Sequence, residues 1–228
     1  MRIPTPPNVS LQPESPVILT PALPSGNSSS GISVRIARTQ ADLEKALQVR
    51  WLGYKKYESF SQPEMEELDH GTNCTILFAE DLEKNPLGTL RILDHRRGPI
   101  ELQKFLNVDE LLPQTGSIAE ATRFSVPRSA RSPRVKLLLW KAFYLFCVQR
   151  KIDYMVVSMR PAAAGDYQRL QFTRAEGGCY SHATLGNLPH ETYYLHVPTA
   201  PQVFRLHNNT LLSFFTETIH PEIDLAFE

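Results

Sequence analysis

The 228-residue chain carries 24 basic and 24 acidic residues, a balance that excludes the composition of a general nucleic-acid binder. Its length fits one domain with a tail, and a hydrophobic share of 42% supplies one core. The three cysteines, Cys74, Cys147 and Cys179, show no CxxC spacing, which argues against a disulfide framework and structural zinc and for a reducing compartment.

Residues 1–32 are rich in Pro and Ser and are expected to form a disordered tail, leaving 33–228 as the folded domain. Prolines interrupt "MRIPTPPNVS" before any leader-like apolar run can begin. The longest apolar stretch, "VKLLLWKAFYLFCV", is broken by Lys141 and is too short to cross a bilayer, so a cytoplasmic protein without a transmembrane segment is expected.

"ISVRIAR" alternates as a strand, and Thr39 with Asp42 three residues on caps a helix expected to run through Phe60. Leu43, Leu47, Arg50 and Tyr54 share one face of that helix, which sets Arg50 among apolar neighbours. After a loop, "EMEELDHGTN", come strands "TILFAED" and "LGTLRILDH", then short helical turns in "IELQKFLNVDELL" and the strand "SIAEATRFSV". Ser132-Pro133 reads as an N-cap with proline in the first helical position, opening an apolar helix to Lys151. A buried strand "DYMVVSM", a short helix near "AAGDYQRLQF", strands "YSHATL" and "ETYYLHV", and an amphipathic helix over 200–219 complete the order. The fold class is α/β (α+β), with a mixed, mostly antiparallel central sheet flanked by helices.

Charge is concentrated where strand 117–126 passes into the long helix. From Ala121 to Lys151 there are eight lysines and arginines and no acid. Cations in a helix's first turn oppose its dipole unless an anion binds there, so Arg128, Arg131, Arg134 and Lys136 suggest an anion site. The patch is short and has Phe124 as its one nearby aromatic, so a phosphate-bearing ligand or an acidic protein fits it better than nucleic acid.

Just upstream, Glu120 shares a period-2 face with Ile118, Thr122, Phe124 and Val126, and burial there would raise its pKa toward that of a neutral-pH base. Arg123 nominally points to the other face, and a β-bulge would be needed to bring the two together. Arg91 interrupts an apolar strand. It and Arg50 each need a carboxylate, from Asp69 and Glu120 or from a substrate. His182, His190 and His196 have no metal-binding spacing, and no metal is expected.

Arg50, Asp69, "LGTLRIL" with Arg91, and "EATRFSV" with Glu120, Arg123 and Phe124 occur in an order that resembles the acyl-homoserine lactone (autoinducer) synthases and the N-acyl amino acid synthases. The resemblance spans roughly residues 33–160 and implies the fold of the GCN5-related N-acyltransferases. It implies transfer of a fatty acyl group from a phosphopantetheine thioester to an amine, with no permanently bound cofactor. Acyl carrier protein is the expected donor in preference to acyl-CoA, and a small-molecule amine, an amino acid in preference to S-adenosylmethionine, is the expected acceptor.

On that resemblance Glu120 and Arg123 are catalytic, while Arg50, Asp69, Arg91 and Phe124 bind substrate. Ser125, Val126, Arg128, Arg131, Arg134 and Lys136 would meet the acyl-phosphopantetheine. The stretch 128–133 has Arg131 and Pro133 where acetyltransferases that use coenzyme A carry glycines, which favours the carrier protein. The alternatives are an acyl-homoserine lactone synthase, an acyl-CoA-dependent N-acetyltransferase, and a non-catalytic carrier-protein-binding module.

Overall fold

The computed structural model describes residues 31–129 and 132–226. The tail expected through residue 32 lies almost wholly outside the described residues, as does Arg131. One eight-stranded sheet organises the chain: β1 (Ile32–Ile36), β2 (Cys74–Asp81), β3 (Pro86–Asp94), β4 (Ile118–Ser125), β5 (Tyr154–Met159), β6 (Thr173–His182), β7 (Leu188–His196) and β8 (Ile223–Asp224). Their spatial order is β6-β7-β5-β4-β3-β2-β1-β8. Two neighbouring pairs, β4–β5 and β1–β8, run parallel, and the others run antiparallel.

The long helices α1 (Gln40–Tyr54) and α2 (Ser132–Arg150) cover opposite faces of the sheet. Alternation along β2 explains how. Ile76 and Phe78 pack with Ala46 of α1, whereas Leu77 and Ala79 join the larger core with Leu138, Leu139 and Phe143 of α2. Two short α-helices, α3 (Ala164–Arg169) and α4 (Ala200–Leu206), follow among the described residues. Among the described residues no helix is long and apolar enough to cross a membrane.

Thr39 and Asp42 form the expected reciprocal cap of α1. The helix ends at Tyr54 rather than Phe60, because the chain doubles back. The Trp51 indole N–H donates to the Ser61 carbonyl at 3.2 Å, and the Tyr54 and Phe60 rings lie 5.2 Å apart. At the start of α2, Ser132 ties the preceding loop: its hydroxyl accepts from the Ser129 amide and donates to the Pro127 carbonyl.

Three other elements depart from the sequence expectation. β6 begins at Thr173, well before Tyr180, and is bulged between Arg174 and Cys179, where Gly177 takes φ +71°. The segment 200–219 is broken after Leu206. Asn208 is left-handed there, and the Asn209 side chain donates to Arg169 and accepts from the Leu211 amide. A single π-turn, Ser213–Glu217, follows, and then the unanticipated β8.

Close approach of α2 to the sheet depends on Gly88. A Cβ there would lie 2.9 Å from Val135 Cγ1 and 3.0 Å from both Leu139 Cδ1 and Val126 Cγ2. Gly88→Ala is expected to lower stability by about 1–3 kcal/mol, read as a fall in thermal midpoint. A midpoint at or above the parent's would show that α2 can move away without loss.

Candidate active site

Strand β4 carries the key irregularity. Thr89 faces Ser125 and Arg91 faces Thr122, so Arg123 and Phe124 together oppose Leu90, and Arg123 sits at φ +53°. This bulge changes the face assignment downstream. Arg123 joins Glu120 and Thr122 on the α1 side. Phe124 and Val126 turn instead to the core beneath α2, with the Phe124 ring 5.0 Å from Trp140. The expected sharing of one face by Glu120, Phe124 and Val126 is therefore corrected.

The α1 side holds a compact ionic cluster. Arg50 donates through Nη2 to Asp69 at 3.1 Å, and Arg91 donates to Asp69 at 3.2 Å and to Glu101 at 3.1 Å. Arg91 Nε also donates to the Thr122 hydroxyl. Arg123 reaches Glu101 at 2.6 and 2.9 Å and grips Glu66 with two bonds of 2.6 Å. Glu66 is also 3.2 Å from Arg91 and 3.5 Å from Arg50, so one carboxylate touches all three guanidinium groups.

Asp69 is the partner foreseen for Arg50 and Arg91, but Glu120 is not the other. Glu66 and Glu101 take that place. Sequence reasoning passed over both. The available signal was arithmetic: three arginines on one sheet face need three acids, and the loop 64–69 holds four acids.

Glu120 stands apart from these pairs. It is 1% exposed and accepts the Leu102 backbone N–H at 3.1 Å. Burial, reinforced by the nearby Glu101 charge, pushes its pKa up to about 8. Burial also opposes ionisation of Glu101, yet Arg123 and Arg91 outweigh it and hold that carboxyl below its ordinary value. Two carboxyl groups thus occupy one site in opposite protonation states near neutrality.

Glu101, Glu120, Thr122 and Arg123 line a cavity of about 50 Å³, with Tyr180, His182 and His190 from the β6–β7 pair among the other walls. Burial lowers the His182 pKa to about 4, so its imidazole is neutral at pH 7. The His182 and His190 rings lie 5.0 Å apart, while His196 packs elsewhere against Tyr154. Burial raises the Cys74 thiol to about 12 and pushes Cys147 well up, which makes both poor nucleophiles.

Registered pairing between β4 and β5 ends at Ala121↔Val157, although β4 continues to Ser125 and β5 to Met159. The two parallel strands therefore part beside Thr122–Ser125. Ser125 is tied through its hydroxyl to the Val49 carbonyl of α1 at 2.8 Å. Beyond it, Arg128 and Lys136 are exposed, whereas Arg134 pairs with Glu222 at 3.1 Å and lies over the Phe214 ring. Among its described residues the expected basic junction is thus divided: Arg128 and Lys136 face solvent, and Arg134 is joined to the segment before β8.

A family model described as N-acyl amino acid synthase FeeM matches residues 48–194. The structure of FeeM, an N-acyl amino acid synthase from uncultured soil microbes, superposes with a TM-score of 0.64 at 20% identity, covering 80% of this chain and 96% of that one. The AHL synthase LasI gives 0.58 at 17% identity, covering 74% and 93%. The CoA-dependent acyl-homoserine lactone synthase BjaI, solved with SAM and isopentyl-CoA, gives 0.57 at 15% identity, covering 86% and 94%. N-acetyl- and N-acyltransferase structures share the architecture, so the fold is that of the GCN5-related acyltransferases. No curated protein sequence matches.

The raised pKa of Glu120 makes a signed prediction. Below about pH 4.5 its carboxyl is neutral in both folded and unfolded chains. As pH rises toward 8 the unfolded chain ionises first, so wild type loses stability relative to a neutral Gln. The stability advantage of Glu120→Gln should therefore open between pH 4.5 and 8 and level off above. A pH-independent difference in denaturant midpoints would refute the raised pKa.

Proposed function

The chain belongs to the N-acyl amino acid synthase FeeM family and is an acyltransferase, and from that premise we propose that it transfers a fatty acyl group from acyl carrier protein to the amine of an amino acid. The observation that carries this reading is Glu120, buried beside Arg123 on a bulged strand, at the place where β4 and β5 part.

The amino acid arrives as an ammonium ion. Glu120, ionised, takes a proton from it directly or through a water, and the freed amine attacks the thioester carbon. Backbone N–H groups of β4 beyond Arg123 stabilise the tetrahedral oxyanion. Collapse breaks the C–S bond, and the departing thiolate takes up the second proton lost by nitrogen. Arg123 lines the cavity and binds the acceptor, with Arg50, Asp69 and Arg91 in the ionic cluster behind it. Phe124 faces the apolar side, beneath α2, where its partners suit an acyl chain.

The donor's phosphate and its carrier would meet Arg128 and Lys136 at the start of α2, together with Arg131, while Ser125 and Val126 flank the pantetheine. Arg134 enters this role only by sharing its charge with Glu222. An arginine and a proline in place of the loop glycines favour an acidic carrier over free coenzyme A.

The deciding assay offers long-chain acyl carrier protein or acyl-CoA with all amino acids and S-adenosylmethionine, and reads the lipid extract by mass spectrometry. An N-acyl amino acid formed from the carrier-protein donor supports the proposal. An acyl lactone moves the acceptor to S-adenosylmethionine, and product from acyl-CoA alone removes the carrier protein.

The wild-type rate should climb with pH to a plateau, with an apparent pKa near 8. Glu120→Gln should cut the rate by roughly 10²–10⁴-fold while carrier binding survives. Retained activity in Glu120→Gln would remove Glu120 as the base. Arg128→Ala with Lys136→Ala should lower kcat/KM for acyl carrier protein by about tenfold at low salt, a difference that closes at high salt. Equal loss with acyl-CoA as donor would place these residues on the phosphate rather than on the carrier.

A further inference from the structure

Glu66 differs from the other acids of the cluster. Asp69 is fully buried at its side chain and Glu101 is 8% exposed, but Glu66 is 28% exposed and sits on the loop between α1 and β2. Its carboxylate is the one that contacts Arg50, Arg91 and Arg123 together. The backbone at that point is held independently, because the Glu66 N–H donates to Asp69 Oδ2 at 2.7 Å. The side chain can therefore swing out while the turn stays capped.

Two further observations bear on the cluster, which meets the cavity beside Glu120 through Arg123 and Glu101, with Glu66 bonded directly behind Arg123. The cavity beside Glu120 is about 50 Å³, against the ≈ 300 Å³ or more typical of small-molecule sites, and it can admit only a few waters. An acceptor needs part of the wall to move. In addition, Arg50 is 2% exposed, and its Nε has no hydrogen-bond partner. The arginine set thus has unused donor capacity in spite of its three acids.

We propose that Glu66 is a built-in stand-in for the acceptor's α-carboxylate: it occupies a three-arginine subsite in the empty enzyme and is displaced when the acceptor binds. This rests on the acyltransferase reading above and applies to any α-amino carboxylate, amino acid or S-adenosylmethionine alike. Charge requires the exchange. Three guanidiniums already face three carboxylates, so a fourth carboxylate can enter without excess only if one leaves, and Glu66 is the one with a path to water. The displaced carboxylate then lies near the entrance, where it favours the acceptor's ammonium group.

An internal competitor lowers apparent affinity by the fraction of enzyme it occupies. Glu66→Gln keeps the shape but weakens the grip on Arg123, and it should lower the acceptor KM by about fivefold or more. The effect should vanish for the acceptor's primary amide. Glu67→Gln, a neighbouring acid whose side chain is 87% exposed, should leave KM unchanged.

Wild-type protein gives a second readout that does not depend on the variant folding. Backbone hydrogen exchange in residues 61–70 should quicken when the pooled amino acids or S-adenosylmethionine are added, and should not respond to the pooled amino acid amides. An acceptor KM unchanged or raised in Glu66→Gln, or an exchange response identical for acids and amides, overturns the proposal. Acylation of an amino acid with those outcomes would leave the family reading standing and remove only this one. Absence of any acylated product together with an unresponsive segment would count against both.

Discussion

Three guanidinium groups buried on one face of a sheet set the terms for everything around them. Arg50 comes from the first helix, Arg91 from β3 and Arg123 from β4, and no one of them can be taken out of water unpaired. The chain meets this demand with acids from two irregular segments, the loop before β2 and the turn at Glu101, rather than from neighbouring strands. Because the three acids balance the three guanidiniums charge for charge, no cation is committed to Glu120. The same neutrality that makes the cluster tolerable leaves the adjacent carboxyl protonated and poised near physiological pH.

The bulge in β4 links this electrostatic arrangement to the sheet. A regular strand would send Arg123 into the apolar core under α2 and would leave Phe124 among the charges. One extra residue reverses both placements. It lies where β4 and β5 cease to pair, so the ionic wall and the gap between strands arise from the same few residues. α1 is drawn close at this point. Gly53 lies so near Ser125 that a Cβ would come within 2.3 Å of the Ser125 hydroxyl, and Tyr54 and Phe60 stand 5.9 and 5.2 Å from the Arg123 guanidinium.

Much of this was legible because it is encoded locally. Alternation identified the strand at "ISVRIAR", Thr39 and Asp42 announced α1, and a charged residue inside "GTLRIL" called for a carboxylate, from the protein or from a substrate. What escaped is encoded at a distance or through backbone irregularity. β6 was hidden because Glu176-Gly177-Gly178 reads as a turn, while in the fold it is a bulge supported by β7. The break after Leu206 depended on Asn209 finding Arg169, a partner 40 residues away. Glu66 and Glu101 carry no local mark of burial, since a glutamate in a polar loop is ordinarily solvated. Only the spatial convergence of three arginines gives them their role.

Arg123 holds its φ of +53° against the steric preference of any side chain with a Cβ, at roughly 1–2 kcal/mol relative to glycine. Glycine at that position would relax the backbone yet delete the group that binds Glu66 and Glu101. The ionic bonds outweigh the strain, because breaking a buried pair by removing one partner costs about 3–5 kcal/mol. Selection for thermal robustness and selection for turnover therefore hold this one codon in the same place, and a library screened for folding alone would be expected to keep arginine there in spite of its backbone.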